Sequence, residues 1–325
     1  TGAGGADCSD RVERIIVSPG NEAPSANVDV DVDVVIVNFN AGQALSRCVR
    51  SVMAQGVPLR LVVIDNASSD GSARELRREF EQSRSLTLVE NAGNPGFARA
   101  VNQAVRDLEN SPGKSEMVAD YILILNPDCE MRDGSLSKLI EALDENLGAG
   151  LAAPLVVDAN GLPMRGALRR FPNPWRSLMT FSGLWRLGDR YPALEGIEQG
   201  DRIPNVTVQA EAVSGACMLV RKSMFRDLDG MDEQYGLHCE DLDLMYRLRE
   251  SGAHCLLVPA ARVYHRQGVS SRSRPLWAHW QKHRGMQRFF IKFQAQEYIF
   301  PFRWLVRAGI WARFVLTAPL ALLRR

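Results

Sequence analysis

Asp128 follows the apolar run Ile122-Leu123-Ile124-Leu125 after only Asn126 and Pro127. A carboxylate just past a buried strand suits a cation. Ligands of open α/β sheets bind beyond the carboxyl ends of the strands, and one or two carboxylates plus substrate phosphates commonly hold a hard divalent ion. The competing reading makes Asp128 part of the cap of the next helix, for which Asp133 and Ser135 are rival N-cap candidates. Other polar residues stand in the same relation to apolar runs: Asn38 and Asn40 after 34–37, Asp65 after 61–64, and Asn94 after 86–89. Each alone is ordinary turn chemistry. Five together, all at strand ends, point to one crevice shaped for a nucleotide. Further along, Glu240, Asp241 and Asp243 form an acidic cluster, and His265 follows Val263 either as a core histidine or as a ligand.

The elements that must position these groups are legible as alternating periodicities. The apolar runs 34–37, 61–64, 86–89 and 121–125 read as short buried strands. Between them, Leu45, Cys48, Val49, Val52 and Met53, and later Phe97, Val101, Ala104, Val105 and Leu108, recur at helical spacing. Such alternation predicts an α/β fold with a mostly parallel sheet, right-handed crossovers and helices on its flanks. After Gly148 the pattern is less regular: a run at 151–157, then Arg165, Arg169 and Arg170, then Pro172, Pro174 and Trp175. The runs 206–213 and 217–220 predict a pair of strands around Ser214-Gly215-Ala216, where small residues let a backbone approach a ligand. Leu242, Leu244, Met245 and Leu248 mark a helix ending at Gly252. Glu240 and Asp241 then fall in its first turn, where the dipole favours an acid by about 0.3 to 1 kcal/mol.

A chain of 325 residues affords one large α/β domain with an appendage, or two smaller domains. With 39 Lys and Arg against 38 Asp and Glu, the balance of charge gives no argument for a nucleic-acid partner. The six cysteines lack CxxC spacing and read as reduced thiols of a cytosolic protein. Residues 1–30 are poor in apolar side chains and read as a loose tail without signal-peptide character. From Trp277 onward aromatic and basic residues interleave: Trp280, Lys282, Arg284 and Arg288, then Phe302, Arg303, Trp304, Arg307, Trp311 and Arg313. The expectation for 271–325 is a helical region, interrupted at Pro301 and Pro319, that lies at a membrane surface as an interfacial anchor. No charge-free run there approaches the roughly 18 residues of a spanning helix. Packing onto the main domain is the rival.

In order along the chain, the segments VIVNFN (35–40), VIDNASSDGS (63–72), NPGFARAVN (94–102), LNPD (125–128), GACMLV (215–220), GMDE (230–233), EDLDL (240–244) and HRQGVS (265–270) resemble the family 2 glycosyltransferases of GT-A fold, particularly bacterial rhamnosyltransferase-like members. The resemblance covers roughly 34–270 and implies a GT-A domain over 31–270. It implies transfer of a sugar from a nucleoside diphosphate donor to an acceptor hydroxyl, with inversion at the anomeric carbon. By the same resemblance Asp241 is the base. Asp128 and His265 hold a divalent metal, Mg or Mn. Asn38, Asn40, Asp65, Asn94 and Asp128 bind the nucleotide sugar, with Asp65 accepting the imide N–H of a pyrimidine. Glu240, Asp243 and Gly215 serve the acceptor side or support the site. Asn126 replaces the first carboxylate of the family's Asp-x-Asp, leaving one acid.

These expectations combine into an inverting, metal-dependent transferase of cell-surface polysaccharide synthesis. Its donor would be dTDP-rhamnose and its acceptor a glycan or polyprenyl-linked sugar. It would be cytoplasmic, with peripheral contact at the inner face of the cell membrane. A UDP-hexose or UDP-N-acetylhexosamine donor is the alternative within the class. A sugar nucleotidyltransferase would share a sheet-edge metal site, but residues 38–44 carry only Gly42 and no Lys or Arg to cradle phosphates. Asp128 and Asp241 together speak against a non-catalytic binding protein.

Overall fold

A computed structural model describes residues 31–110, 119–198, 203–266 and 275–323. The expected tail and residues 267–274, which include most of the HRQGVS segment, lie outside them. The first strands are β1 (Val32–Asn38), β2 (Leu59–Asp65), β3 (Leu86–Glu90) and β4 (Tyr121–Leu125), separated by α1 (Gln43–Met53), α2 (Ser72–Glu79) and α3 (Phe97–Glu109). Then come β5 (Cys129–Met131), α4 (Ser135–Asp144), β6 (Ala149–Val157), β7 (Leu168–Arg169) and α5 (Pro174–Ser182). The third part holds β8 (Val208–Ala210), β9 (Ala212–Val213), β10 (Cys217–Arg221), α6 (Lys222–Asp227), α7 (Glu240–Glu250) and β11 (His254–His265). Two helices end the chain, α8 (Pro275–Phe293) and α9 (Phe300–Leu323).

One sheet runs in the order β3-β2-β1-β4-β10-β6-β11-β5, with β8 also on β11. The four expected strands are parallel neighbours, in register Asn38 opposite Asp65 and Ile36 opposite Leu125. β10 inserts antiparallel between β4 and β6, and β5 and β8 run antiparallel to β11. The sheet is mixed beyond its parallel half. The strands expected around 214–216 do not pair with each other: β9 forms a separate ribbon with β7 while β10 joins the main sheet. The three small residues between them are therefore a crossing from one sheet to the other.

Both faces of the main sheet are covered, which explains apolar runs without polar alternation. Val35 and Val37 point to the side of α3, α6 and α7, and Val34 and Ile36 to the side of α1, α2 and α4. At the opening ends of β1 and β2, Asp33 is buried in ion pairs with Arg60 and Lys222, each 2.6 to 2.7 Å long.

The C-terminal region is helical, and its break between α8 and α9 falls just before Pro301 as expected, but Pro319 does not interrupt it. α9 runs unbroken through Pro319. Pro301 lies in its first turn, where a missing N–H costs nothing, and Pro319 lies near its end, where few bonds remain to lose. The stretch Phe300–Leu322 is also, by length and composition alone, long enough and apolar enough to cross a membrane, although Arg303, Arg307 and Arg313 break it into the short charge-free runs expected. One side of α9 meets α8: His279 Nε2 and Thr317 Oγ1 lie 2.8 Å apart, and Trp311 Nε1–H donates to Gln287 Oε1. Trp304, Leu305, Val315, Leu316 and Leu320 are exposed.

Candidate active site

The loops after β1, β2 and β3 are bonded into one rim. Asn38 is wholly buried; its amide donates to Asp65 Oδ1 at 2.6 Å, Ser68 Oγ at 3.1 Å and Ser72 Oγ at 2.8 Å, and its Oδ1 accepts the Ala41 N–H. Asn38, expected among the donor contacts, therefore offers no surface to a ligand. Its capacity is spent orienting Asp65, whose other oxygen accepts the Ser68 N–H at 2.9 Å. Asn40 takes a left-handed conformation (φ 54°) and accepts the Ser69 N–H at 2.8 Å. Asp70 fastens the rim from outside, accepting the Gly42 N–H at 2.7 Å and the Ser72 hydroxyl at 2.6 Å. Asn94 accepts the Gly96 N–H at 3.0 Å at the opening of α3 and lies 3.4 Å from the amide of buried Asn66, which takes a bond from Asn91.

Asp128 sits in the tight connection from β4 to β5, not in a helix cap; α4 begins beyond Gly134 without a side-chain cap. Because β5 runs antiparallel to β11, His265 stands opposite Cys129, and its Nε2 lies 3.1 Å from Asp128 Oδ1. The two residues singled out from distant segments are thus neighbours. Cys129 Sγ completes a trio of donor atoms within 4.8 Å of one another. Burial, and then Asp128, push that thiol well above its ordinary value; its Sγ donates to the Ala216 carbonyl at 3.5 Å, and as a soft donor it suits Mg or Mn less than oxygen and imidazole do. One carboxylate and one imidazole remain, a set that fits a divalent cation completed by diphosphate oxygens and water.

Asp241 is the second residue of α7, and the crossing at 214–216 joins it to the Asp128 connection. Ala216 accepts the Asn126 N–H at 2.9 Å, while a Cβ on Gly215 would stand 2.6 Å from both Cβ and Oδ2 of Asp241. Gly215 is needed for that close approach. Asp241 Oδ2 accepts from Arg169 Nη2 at 2.6 Å, and Arg169 also donates to the Val213 carbonyl. Burial pushes the Asp241 carboxyl up, but the Arg169 charge and hydrogen bond outweigh it and hold the group below the ordinary carboxylate range.

Glu240, expected to face the acceptor, is buried, and among the described residues Oε2 has no hydrogen-bond partner. Burial, then the adjacent Asp241 charge, push its carboxyl up to about 8. Asp243 is fully buried and ties α7 to α8, bonding Arg247 Nε and Lys292 Nζ at 2.6 Å each. The entry to α7 is strained: His238 and Cys239 have φ of 69° and 72° without being glycine.

Arg169 was visible in the sequence only as one arginine among three, because its partner lies 72 residues away and the ribbon that delivers it is two residues long per strand. Asn66 was passed over for the same reason, its partners Asn91 and Asn94 being on the next loop.

A rim of loops at the carboxyl ends of a parallel half-sheet, a strand-end carboxylate beside a histidine, and a second carboxylate at a helix start fit a glycosyltransferase of GT-A fold. The family profile described as glycosyl transferase family 2 matches residues 33–228, and the chain belongs to that family. It is 29% identical over 285 residues to the N-acetylglucosaminyl-diphospho-decaprenol L-rhamnosyltransferase of Mycobacterium tuberculosis, covering 86% of this chain and 90% of the relative. It is 26% identical over 243 residues to the rhamnosyltransferase WbbL of Escherichia coli, covering 74% and 84%. Among solved structures, the mannosyltransferase PcManGT of Pyrobaculum calidifontis, in complex with GDP-Man and Mn2+, superposes with a TM-score of 0.53 at 18% identity over 94% of this chain and 75% of that one.

Proposed function

We propose that the chain is an inverting, metal-dependent transferase that moves L-rhamnose from dTDP-rhamnose to a lipid-linked glycan acceptor. Two rhamnosyltransferase relatives support the sugar, and the name of one, with its diphospho-decaprenol, supports the acceptor. The observation that carries the reading is the position of Asp241 against Gly215, in a loop that also bonds the Asp128 connection. A proton acceptor and a strand-end carboxylate are thereby linked through one three-residue loop.

In this reading the acceptor hydroxyl gives its proton to Asp241 as its oxygen forms a bond to the anomeric carbon, and the bond to the diphosphate breaks on the opposite side. Arg169 keeps Asp241 unprotonated and fixes its orientation. Asp65, aimed by Asn38, accepts the imide N–H of the thymine, while Asn40 and Asn94 border the nucleoside. Asp128 and His265 would hold a divalent cation, which stabilises the charge gathering on the leaving diphosphate. Residues 31–270 act as the transferase domain, and 271–325 bring it to the cytoplasmic face of the membrane, where the exposed apolar side chains of α9 meet lipid.

The test is a panel of nucleotide sugars scored for released nucleoside diphosphate, with and without lipid-linked acceptor. Acceptor-dependent release from dTDP-rhamnose is expected. Release from a UDP-hexose or UDP-N-acetylhexosamine instead would replace the donor assignment, and release from none would overturn the reading.

A further inference from the structure

Lys282 is exposed, and among the described residues it makes no ion pair or hydrogen bond. Its surroundings are defined by its neighbours on α8. A Cβ on Gly285, one turn further along, would stand 2.6 Å from the His238 carbonyl, and one on Gly236 would stand 2.5 Å from Gln281 Nε2. This turn of α8 thus rests on the loop that enters α7, three residues before Asp241. On the other side, Arg313 of α9 lies 3.4 Å from His283 Nε2 and 3.8 Å from Met286 Sδ, beside Lys282 along the same helix. Desolvation, then Arg313, hold the Lys282 ammonium below its ordinary value, while Cys239 and the Glu198 carboxylate pull the other way. Lys282 and Arg313 thus share one stretch of surface, and with the Arg169 charge already spent on Asp241, these two are the cations there that can attract an anion against the nearby Glu198 carboxylate. Beyond it the surface turns apolar: the Arg313 guanidinium carbon lies 3.8 Å over the Phe181 ring, which with Leu178 and Leu184 is exposed.

We propose that Lys282, with Arg313 beside it on the neighbouring helix, is a diphosphate subsite for the acceptor, separate from the donor diphosphate at Asp128. The order along this surface is base, cations, apolar patch. A lipid-linked acceptor has the same order: a sugar hydroxyl, a diphosphate, a hydrocarbon chain. The proposal rests on Asp241 being the base of transfer to such an acceptor.

The test compares the full-length enzyme with Lys282→Ala and Lys282→Glu on two acceptors, an N-acetylglucosaminyl diphosphate carrying a short prenyl chain and a neutral alkyl N-acetylglucosaminide. Loss of one charge-assisted contact should lower kcat/KM on the diphosphate acceptor about 10- to 100-fold more than on the neutral one, more for Glu than for Ala. In parallel, calorimetry in excess chelator should show inorganic pyrophosphate binding to the parent enzyme and weakened binding to both variants. Equal losses on the two acceptors, a loss confined to the KM for donor, or pyrophosphate binding unchanged by substitution would each overturn the subsite. Transfer to neither acceptor by the parent enzyme would instead refute the function on which it rests, and the calorimetry would still judge the subsite.

Discussion

Gly215→Ala tests the site more sharply than deletion of any charged group. A Cβ at 215 would stand 2.6 Å from Asp241 Cβ and Oδ2 and 2.8 Å from Cγ, where ordinary contact begins at 3.4 Å, so Asp241 or the 214–216 loop must shift by about 0.8 Å. The carboxylate has little room to give, because Oδ2 is bonded to Arg169 at 2.6 Å and the residue sits at the fixed start of a helix. A misplacement near 1 Å at a reacting group costs about 100-fold in rate, and overpacking costs about 1–3 kcal/mol in stability. We therefore expect kcat for transfer to fall about 100-fold, donor affinity to change less than about threefold, and the protein to remain folded. Gly309→Ala is the control: nothing lies within 4 Å of its added Cβ, and on an exposed helix it should gain up to about 1 kcal/mol with transfer unchanged. A folded Gly215→Ala enzyme with parental kcat would refute the assignment of Asp241.

Four further outcomes are expected. Asp241→Asn should bind donor normally, by calorimetry, and lose about 100- to 10,000-fold in kcat. Arg169→Met should move the acid limb of the kcat/KM profile to higher pH: Arg169 holds the Asp241 carboxyl low, its removal raises that value, and only the unprotonated form accepts a proton. An unmoved limb would sever the two residues functionally. Asp128→Ala should weaken both donor binding and turnover, and chelation of the parent enzyme should reproduce this; activity persisting in excess chelator would assign leaving-group stabilisation to basic side chains. A version ending at Gln294 should lose co-sedimentation with anionic vesicles that the full chain shows at low salt, since each basic residue near such a surface contributes about 1 kcal/mol; equal binding by both would place membrane contact elsewhere.

Local pattern carried the parallel half of the molecule, because β1 to β4 and their helices are built from near-neighbours in sequence and each strand ends on, or runs straight into, a polar residue. Pairing direction is not a local property. Nothing in Cys217–Arg221 announces that it runs antiparallel between two strands contributed by distant segments. The pairing of His265 with Asp128 spans 137 residues and emerged from motif resemblance, not from periodicity. Residue type located Asn38 correctly at a strand end, but whether its amide faces a ligand or the protein depended on three oxygens of another loop. The presence of Pro319 predicts a break, but a proline four residues from the end of α9 leaves the helix intact.

Asp241 and Asp243 sit two residues apart, about 200° around the helix axis. One borders the reaction space while the other is clamped to Lys292 of α8. The C-terminal helices are therefore not an interchangeable module. Grafting them from another protein without a cation at position 292 would leave a buried carboxylate short of one partner within a turn of the base, and would disturb turnover even where lipid contact was preserved. The same geometry sets the safe point for shortening the chain: ending it after Gln294 removes α9 but keeps the clamp, whereas ending it before α8 removes the clamp as well.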